Sequence, residues 1–184
     1  MESVADFWRA QNGVRHITPR GLDRPEGDWL GSAFDDLKGK SVIEFGCGPG
    51  RLAGLFDPDS YLGVDINPNS VLAARERNSK HRFKTIDTAA PIGPADVIVC
   101  HTVLMHVPDD ELAKVIARFD ARQVRVNEMT GRHWRRDGEP PVFNREVHEY
   151  QTAFAFAGFM PGRCTYQTYQ HYRAPMALMR FDRL

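Results

Sequence analysis

The segment Val42–Gly50, with the sequence VIEFGCGPG, joins a short apolar run to three closely spaced glycines. Such a run predicts a buried strand, and glycines at its end allow positive φ angles and a close approach of a ligand to the backbone. The next apolar run, Tyr61–Asp65, ends in a carboxylate. In a parallel sheet, ligands bind at the carboxyl ends of neighbouring strands. We therefore expect the glycine loop and Asp65 at one ligand-binding edge, where the carboxylate can accept hydrogen bonds from a ribose diol.

The rest of the chain alternates between strand-like and helix-like segments. Further strands are predicted at residues 81–87, 96–100, 123–128, 163–168 and 177–181. Helices are predicted near the start of the chain and at residues 28–37, 51–56, 67–78, from 108 onward, and 145–157. Short apolar strands that alternate with helices indicate an α/β fold, with a mostly parallel sheet covered on both faces.

The composition limits the classes of protein to consider. A chain of 184 residues with 42% hydrophobic residues suits a single domain. Its formal net charge of zero predicts no strong attraction to a polyanion. The three cysteines form no Cys-x-x-Cys motif, so we expect reduced thiols and no metal site. The sequence has no secretion signal and no apolar stretch of the roughly 20 residues that span a bilayer, which predicts a cytoplasmic protein without membrane contact.

The spacing of the glycines separates two cofactor classes. In the dinucleotide-binding pattern G-x-G-x-x-G, counted from Gly46, the third glycine would stand at position 51, which is Arg51. The observed pattern is G-x-G-x-G, preceded by Glu44 at the end of the strand. The run EFGCGPG resembles motif I of the class I S-adenosylmethionine-dependent methyltransferases.

The resemblance extends from about residue 41 to residue 184. Tyr61–Asp65 is similar to the family's second strand and residues 85–88 to the end of its third. Residues 95–112 resemble the fourth strand and following helix of the small-molecule branch, and residues 151–159 resemble its late helix and Ala-Gly-Phe turn. The resemblance implies a Rossmann-like three-layer sandwich with a seven-stranded sheet in the order 3-2-1-4-5-7-6 and an antiparallel last strand. It also implies one methyltransferase domain over residues 1–184, with residues 1–40 as a helical lid and 41–184 as the cofactor-binding core.

The resemblance assigns roles to individual residues. Asp65 should hold the ribose hydroxyls, Asp87 the adenine amino group, and Glu44 the methionine amine or the amides of the glycine loop. Simpler roles stay open: a tight turn for the glycines, a helix cap for Asp65, a surface carboxylate for Asp87 and a structural part for Glu44. The residues expected to bind S-adenosylmethionine are Glu44, Gly46, Cys47, Gly48, Gly50, Asp65, Ile66, Asp87, Thr88 and His101.

Methyl transfer from a sulfonium depends mainly on the alignment of nucleophile, methyl carbon and sulfur. A base is needed only where the nucleophile loses a proton on attack. The candidates are His106, His101 and Glu128, which follow or end predicted strands at the ligand-binding edge. An imidazole titrates near neutrality and suits proton removal. Each histidine can instead be a hydrogen-bonding partner of backbone or cofactor, and His101 is expected to line the cofactor pocket.

Several features bear on the substrate. The fourth strand is followed by Cys-His-Thr-Val (residues 100–103), without the Asp/Asn-Pro-Pro-Tyr or Pro-Cys motifs of DNA methyltransferases. The sequence GRHWRR at residues 131–136 could grip an anionic or aromatic group, or form a solvated loop. Candidate substrate-binding residues are Trp8, Arg132 and Trp134. We predict methyl transfer to oxygen or nitrogen of a small molecule. The alternatives are a nucleic-acid or modified-nucleobase methyltransferase and a non-catalytic cofactor-binding partner subunit.

Overall fold

The computed structural model describes residues 3–11, 33–135, 140–169 and 174–184. The α-helices are α1 (Val4–Ala10), α2 (Pro68–Arg77), α3 (Asp109–Ile116) and α4 (Val147–Phe156). The strands are β1 (Val42–Phe45), β2 (Tyr61–Asp65), β3 (Arg82–Thr85), β4 (Ile92–His101), β5 (Phe119–Met129), β6 (Phe159–Tyr169) and β7 (Ala174–Arg183). Short 3-10 turns lie at Asp35–Leu37, Ala53–Leu55, Leu104–His106 and Arg132–Trp134.

The strands form a seven-stranded sheet in the order β3-β2-β1-β4-β5-β7-β6. The pairs β1/β2, β2/β3 and β4/β5 are parallel. Strand β7 runs antiparallel to both β5 and β6. This order and the antiparallel last strand confirm the fold predicted from the sequence. Within the described ranges, each helix is too short or too polar to cross a bilayer.

The chain consists of two compact units, Met1–Ala90 and Pro91–Leu184. That the whole chain acts as one domain stays a prediction. In the first unit, all four residues of β1 are buried, as expected for a strand covered on both faces. Tyr61 at the start of β2 is fully buried and stacks on Phe56, with ring centroids 5.4 Å apart.

The second unit is built around the long strands β4 and β5. Helix α3 buries Leu112 and Ile116, as its apolar periodicity predicts. Helix α4 packs Phe154 on Phe181 of β7, with stacked rings whose centroids lie 4.0 Å apart. The strands of this unit extend beyond the predicted ranges, because residues such as Pro94 and Asp120 separate the buried strand starts Ile92 and Phe119 from the apolar runs.

Two predicted helices need correction. The helix predicted at residues 51–56 is only the 3-10 turn Ala53–Leu55. Gly54 has low helix propensity, and Pro58 disfavours helical backbone at the residue before it. The helix predicted at residues 28–37 contains the 3-10 turn Asp35–Leu37, and its residues up to 32 lie outside the described ranges. Of the predicted lid, residues 3–11 and 33–40 are described, and residue 29 is not.

Candidate functional site

The glycine loop after β1 adopts the backbone that its glycines allow. Gly46, Gly48 and Gly50 have φ angles of 71°, 51° and 73°, which side chains other than glycine rarely adopt. The amides of Gly46 and Cys47 both donate to the Val64 carbonyl, at 2.8 and 3.1 Å, so the loop is bonded to β2.

Gly50 has a packing role in this loop. A Cβ atom at this position would lie 2.7 Å from Nδ2 of Asn78 and 3.1 Å from Cβ of Ala74. A side chain at this position would require the Asn78 amide to move and would strain the backbone, whose φ angle is 73°. The predicted contact of Gly50 with the cofactor stays a prediction.

Asp65, the last residue of β2, is held by two backbone amides. Its Oδ2 accepts from the Gly48 amide at 2.8 Å and its Oδ1 from the Asn67 amide at 2.9 Å. Burial raises the pKa of this carboxyl above its ordinary value, and these amides oppose the rise. The Ile66 amide also bonds to this carboxylate, and since a carboxylate offers about four lone-pair sites, acceptor capacity for a hydroxyl remains. This oriented carboxylate beside a glycine loop fits the ribose diol of S-adenosylmethionine.

Asn67 is a site-forming residue that the sequence interpretation missed. Its Oδ1 caps α2 by accepting from the amides of Asn69 and Ser70, at 2.8 and 3.1 Å. Its Nδ2 donates to the carbonyls of Trp8 and Gln11, both at 2.8 Å. The end of α1 is therefore bonded to the residue two positions after Asp65. The Asn-Pro pair indicated the cap, but no local pattern indicates a bond to residues so distant in sequence.

Glu44 is buried at the end of β1 and accepts a short hydrogen bond from the Tyr61 hydroxyl. Burial raises the pKa of Glu44 to about 7, and the Tyr61 hydrogen bond opposes this rise. Burial also holds the pKa of the Cys47 thiol well above its ordinary value. A thiol kept protonated in this way is a poor nucleophile, which suits a structural or contact role for Cys47.

The other residues predicted to bind the cofactor in the first unit lie after β2 and β3. Ile66 is half-buried, whereas Asp87 and Thr88 are exposed. Oδ1 of Asp87 accepts from the Ala89 amide at 2.8 Å, which closes a turn after β3. Trp8 in α1 is half-buried and packs edge-on against Phe7, with ring centroids 5.2 Å apart. The ligand contacts of these residues stay predictions.

In the second unit, His101 ends β4 and is buried. Its Nδ1 lies 2.9 Å from Nδ2 of Asn127, its partner in the β4/β5 register. Since an amide nitrogen donates, Nδ1 accepts, and the neutral ring carries its proton on Nε2. As a donor at Nε2, His101 is better suited to binding an acceptor than to removing a proton.

His106 has the opposite arrangement. Its Nδ1 lies 2.8 Å from the Pro141 carbonyl oxygen, which can only accept a hydrogen bond. Nδ1 therefore carries the proton, and Nε2 is the basic nitrogen of the neutral ring. The half-buried His106 has the tautomer that a general base requires.

Glu128 organises the loop between β4 and α3. Its side chain is fully buried and accepts from the amides of Val103, Leu104 and Met105, at 2.9, 2.7 and 3.4 Å. Burial raises the pKa of Glu128 to about 7, while these amides oppose the rise. With both oxygens bound to the loop backbone, Glu128 is placed to position this loop, and the geometry favours that role over the predicted one of a base.

Arg145 binds carbonyl groups of the same loop. No sequence pattern predicted this role for Arg145. The side chain is 2% exposed and donates to the carbonyls of Leu104 and Val107, at 3.0 and 2.6 Å. It also pairs with Asp109 at the start of α3, at 2.8 Å. Glu128 and Arg145 thus bond both the amides and the carbonyls around His106.

Two of the three arginines predicted to bind an anion after β5 are paired with carboxylates of this chain. Nε of Arg132 lies 2.9 Å from a carboxylate oxygen of Glu149, and this pairing lowers the pKa of Glu149 to about 2. Arg135 pairs with both oxygens of Asp109, at 2.8 and 2.9 Å. The interpretation of Arg132 as a substrate-binding residue is thereby weakened, because its guanidinium already binds a carboxylate of this chain. Residue 136 lies outside the described ranges.

Trp134 lies between these arginines and is half-buried. Its indole Nε1 is buried and has no hydrogen-bond partner among the described residues. The ring lies against His133, with centroids 5.1 Å apart. An unmatched indole N–H is consistent with the predicted ligand contact of Trp134.

The family model for the methyltransferase domain matches residues 20–122, more than half of the chain. This chain belongs to the methyltransferase domain family. The cofactor of the family, S-adenosylmethionine, is the one predicted from the glycine loop and Asp65. In this methyltransferase domain, no group of three or more His, Cys, Asp or Glu side chains within the described ranges could hold a metal ion.

Curated relatives of this methyltransferase domain include ribosomal protein L11 methyltransferases. That of Vibrio vulnificus (strain CMCP6) is 33% identical over 98 residues, which is 48% of this chain and 32% of the relative. That of Methylococcus capsulatus is 40% identical over 73 residues, which is 38% of this chain and 24% of the relative. The chain thus spans about a third or less of the length of these relatives.

Solved structures share the fold at low sequence identity. Magnesium protoporphyrin IX methyltransferase (ChlM) from Synechocystis PCC 6803, with bound SAM, is 20% identical, with a TM-score of 0.67 over 85% of this chain and 76% of that one. The mitomycin 7-O-methyltransferase MmcR is 17% identical, with a TM-score of 0.65 over 84% of this chain and 52% of that one. The [4+2]-cyclase SpnF reaches the same TM-score of 0.65 at 14% identity. The fold alone therefore does not specify the reaction.

Proposed function

We propose that this chain transfers a methyl group from S-adenosylmethionine to an oxygen or nitrogen atom of a small molecule, with His106 as the general base. The hydrogen bond from His106 Nδ1 to the Pro141 carbonyl carries this proposal, because it leaves Nε2 as the basic nitrogen. The histidine lies on a loop that Glu128 and Arg145 hold through five backbone groups. Such a loop can present the imidazole in one orientation, as proton removal requires.

When bound, the cofactor would supply a methyl group activated by the positive sulfonium, whose carbon–sulfur bond breaks in the transfer so that S-adenosylhomocysteine is the leaving group. The residues of the first unit would bind it: Asp65 through the ribose hydroxyls and the Gly46–Gly50 loop through its backbone. In the second unit, Nε2 of His106 would take the proton that the hydroxyl or amine loses as its bond to the methyl group forms. Glu128 and Arg145 would act as positioning residues, since both bond to the backbone of the loop.

A small substrate agrees with the charge of the molecule. The net charge is zero, and Arg132 and Arg135, the described arginines of the segment 131–136, are paired with carboxylates. Few basic groups are thus left there to neutralise the phosphates of a nucleic acid. A small-molecule methyltransferase of the cytoplasm is the function that we propose.

His106 can be tested by replacement with alanine. On a panel of phenols, hydroxy acids and amines, with release of S-adenosylhomocysteine as the readout, we expect turnover to fall roughly a hundredfold or more. The affinity for S-adenosylhomocysteine should not change. His148→Ala is the matched control, because His148 is an exposed histidine of α4. Normal turnover by His106→Ala would remove this residue from the proposal.

The similarity to ribosomal protein L11 methyltransferases favours methylation of a protein as a second candidate. Incubation with methyl-labelled cofactor, a ribosomal protein fraction, total RNA and small-molecule extract would separate the possibilities. Label in small molecules supports the proposal, whereas label in protein supports the second candidate. Label in RNA would indicate a nucleic-acid methyltransferase. Cofactor binding without transfer to any fraction would indicate a non-catalytic partner subunit.

A further inference from the structure

Asn144 is fully buried, yet neither atom of its side-chain amide has a hydrogen-bond partner among the described residues. Burying a donor and an acceptor without partners opposes folding, because both lose their hydrogen bonds to water. Nearly all buried polar groups in native proteins have partners, and an exception calls for a specific explanation.

The backbone around Asn144 is hydrogen-bonded to other segments of the second unit. The Phe143 amide donates to the Met105 carbonyl at 2.6 Å. The Asn144 carbonyl accepts from Nε of Arg135 at 2.8 Å, and the Arg145 carbonyl accepts from the Gly131 amide at 3.1 Å. The backbones of three consecutive residues are thus hydrogen-bonded to other segments of this unit, and the side-chain amide of Asn144 is not.

Trp134 supplies a second, independent observation. Its indole Nε1 is also buried without a hydrogen-bond partner in the described part of the chain. The segment that carries it, residues 131–135, is bonded to residues 144 and 145 by the contacts of Gly131 and Arg135 given above. Two neighbouring segments therefore hold two unmatched donors, Trp134 Nε1 and Asn144 Nδ2, and one unmatched acceptor, Asn144 Oδ1.

The same chain matches another buried asparagine completely. Asn67 is 4% exposed, and its side chain makes four hydrogen bonds, two accepted and two donated. Asn67 shows that this fold can supply both atoms of a buried asparagine amide with partners. The contrast indicates that the amide of Asn144 serves a ligand.

We propose that Asn144, together with Trp134, recognises the substrate, and that this substrate carries a hydrogen-bond donor and acceptor side by side. Amides, lactams and the amide-like edges of nitrogen heterocycles have this pattern. The carboxamide of Asn144 is complementary to it, donating through Nδ2 and accepting through Oδ1. The proposal rests on the methyltransferase function proposed above, whose substrate class it narrows.

Recognition of this kind is selective. A site built to hydrogen-bond a polar group rejects analogues without that group more strongly than an apolar pocket rejects a missing methylene. The burial of Asn144 in the free chain is compatible with binding, because side-chain rotamers at binding sites commonly change when a ligand enters.

The test uses the full chain, ¹⁵N-labelled and saturated with S-adenosylhomocysteine. The probes are benzamide and 2-pyridone, which pair a donor with an acceptor, and methyl benzoate, which only accepts. We expect the first two probes to shift the side-chain amide resonances of Asn144 and the indole resonance of Trp134, and methyl benzoate to leave them unchanged. In Asn144→Leu, the affinity for benzamide and 2-pyridone should fall at least tenfold while that for S-adenosylhomocysteine stays the same.

Urea unfolding of the same variants supplies the readout that separates recognition from a structural role. Asn144→Leu removes two unmatched atoms and keeps the approximate shape, so it should unfold at the same or a higher urea concentration than wild type. Asn67→Leu, the matched control, should unfold at a lower concentration.

Four results would overturn the recognition proposal: early unfolding of Asn144→Leu, equal probe binding by this variant, loss of its S-adenosylhomocysteine affinity, or no probe-induced shift in the wild-type protein. Amide binding that depends on Asn144, without methyl transfer to any acceptor, would instead reject the proposed function and leave the recognition site standing.

Discussion

Two regions of the molecule differ in whether their buried polar side chains have hydrogen-bond partners. Around the end of β2, the side chains of Asp65 and Asn67 have hydrogen-bond partners within the chain. After β5, the amide of Asn144 and the indole nitrogen of Trp134 have none among the described residues. A matched polar group stabilises the fold, whereas an unmatched one opposes folding. The comparison teaches that folding supplies partners to Asp65 and Asn67 before any ligand binds, whereas the proposed substrate would supply the partners of Asn144 and Trp134.

Within the second unit, the loop between β4 and α3 carries the proposed base His106. The buried side chains of Glu128 and Arg145 bind the backbone of this loop. Arg145 is the buried charge on which this loop depends. In Arg145→Met, Glu128 would lose its nearby positive charge and two loop carbonyls their donor, so we expect a loss of about 3–5 kcal/mol in unfolding free energy. Urea denaturation measures this loss. Arg122→Met, at an exposed arginine of β5, is the control and should keep the wild-type midpoint. Equal midpoints for both variants would show that the loop does not depend on Arg145.

Replacement of Asn67 tests whether the hydrogen bonds around the end of β2 stabilise the fold. Replacement by leucine removes the cap of α2 and both bonds to the end of α1, so we expect a loss of about 2–3 kcal/mol in unfolding free energy. Asn69→Leu is the control, because the Asn69 side chain is exposed and donates a single 3.2 Å bond to the Gln11 carbonyl. If the two variants unfold at the same urea concentration, the hydrogen bonds of Asn67 do not stabilise the first unit.

Asp65 lies in the same region around the end of β2 and is predicted to bind the ribose hydroxyls of the cofactor. Its carboxylate keeps acceptor capacity after binding backbone amides, and Asp65→Ala removes the predicted bonds to the ribose. We expect cofactor binding to weaken by about 1–3 kcal/mol, measured by calorimetry on protein whose circular dichroism is that of wild type. Asp87→Ala, at an exposed carboxylate, should have a smaller effect on affinity. Unchanged affinity in folded Asp65→Ala would contradict the assigned role.

Glu44 provides a pH test. Its pKa of about 7 lies above the ordinary 4.5, so between these values the folded chain holds a proton that the unfolded chain has lost. The contribution of Glu44 to stability is therefore present at acid pH and is lost as the pH rises through about 7. Glutamine does not ionise, so the stability of Glu44→Gln relative to wild type should rise over this window by on the order of 2 kcal/mol.

Urea unfolding at intervals from pH 5 to pH 8 measures this difference. Glu128 titrates in the same direction in both proteins, so the difference isolates Glu44. Glu111→Gln, at an exposed residue of α3, should show no such trend. A difference between Glu44→Gln and wild type that does not vary with pH would show that Glu44 is not protonated in the folded chain.

Arg132 should give the smallest effect. Its pairing with Glu149 lies at the surface, where ion pairs contribute little. Arg132→Gln should leave the urea midpoint and the binding of benzamide within experimental error. A clear loss of probe binding in this variant would restore Arg132 as a substrate-binding residue. The proposed recognition site of Asn144 and Trp134 would then extend towards α4.

The fold could be predicted because its determinants are local. The apolar runs at Val42–Phe45 and Tyr61–Asp65 and the glycines after the first run are visible in the sequence. Local patterns failed at residues 51–56, where an apolar stretch suggested a helix and Gly54 and Pro58 limit it to one 3-10 turn. Helix ends were indicated by their caps, as at Asn67-Pro68.

The candidate site could be predicted only in part. The positions of Asp65 at the end of β2 and of His106 in the loop after β4 followed from the parallel sheet, but their hydrogen-bond partners did not. The tautomer of His106 depends on Pro141 and the role of Glu128 on three amides of a distant loop. Arg145 and Asn144 showed no sequence signal, because long-range packing decides whether a buried polar group finds a partner.

The central claim is that the glycine loop and Asp65 bind S-adenosylmethionine. Calorimetric titration of the purified chain with S-adenosylmethionine, S-adenosylhomocysteine and NAD tests it most directly. We predict micromolar binding of both adenosyl ligands and no binding of NAD. Binding of NAD, or no binding of either adenosyl ligand by a folded chain, would contradict the account.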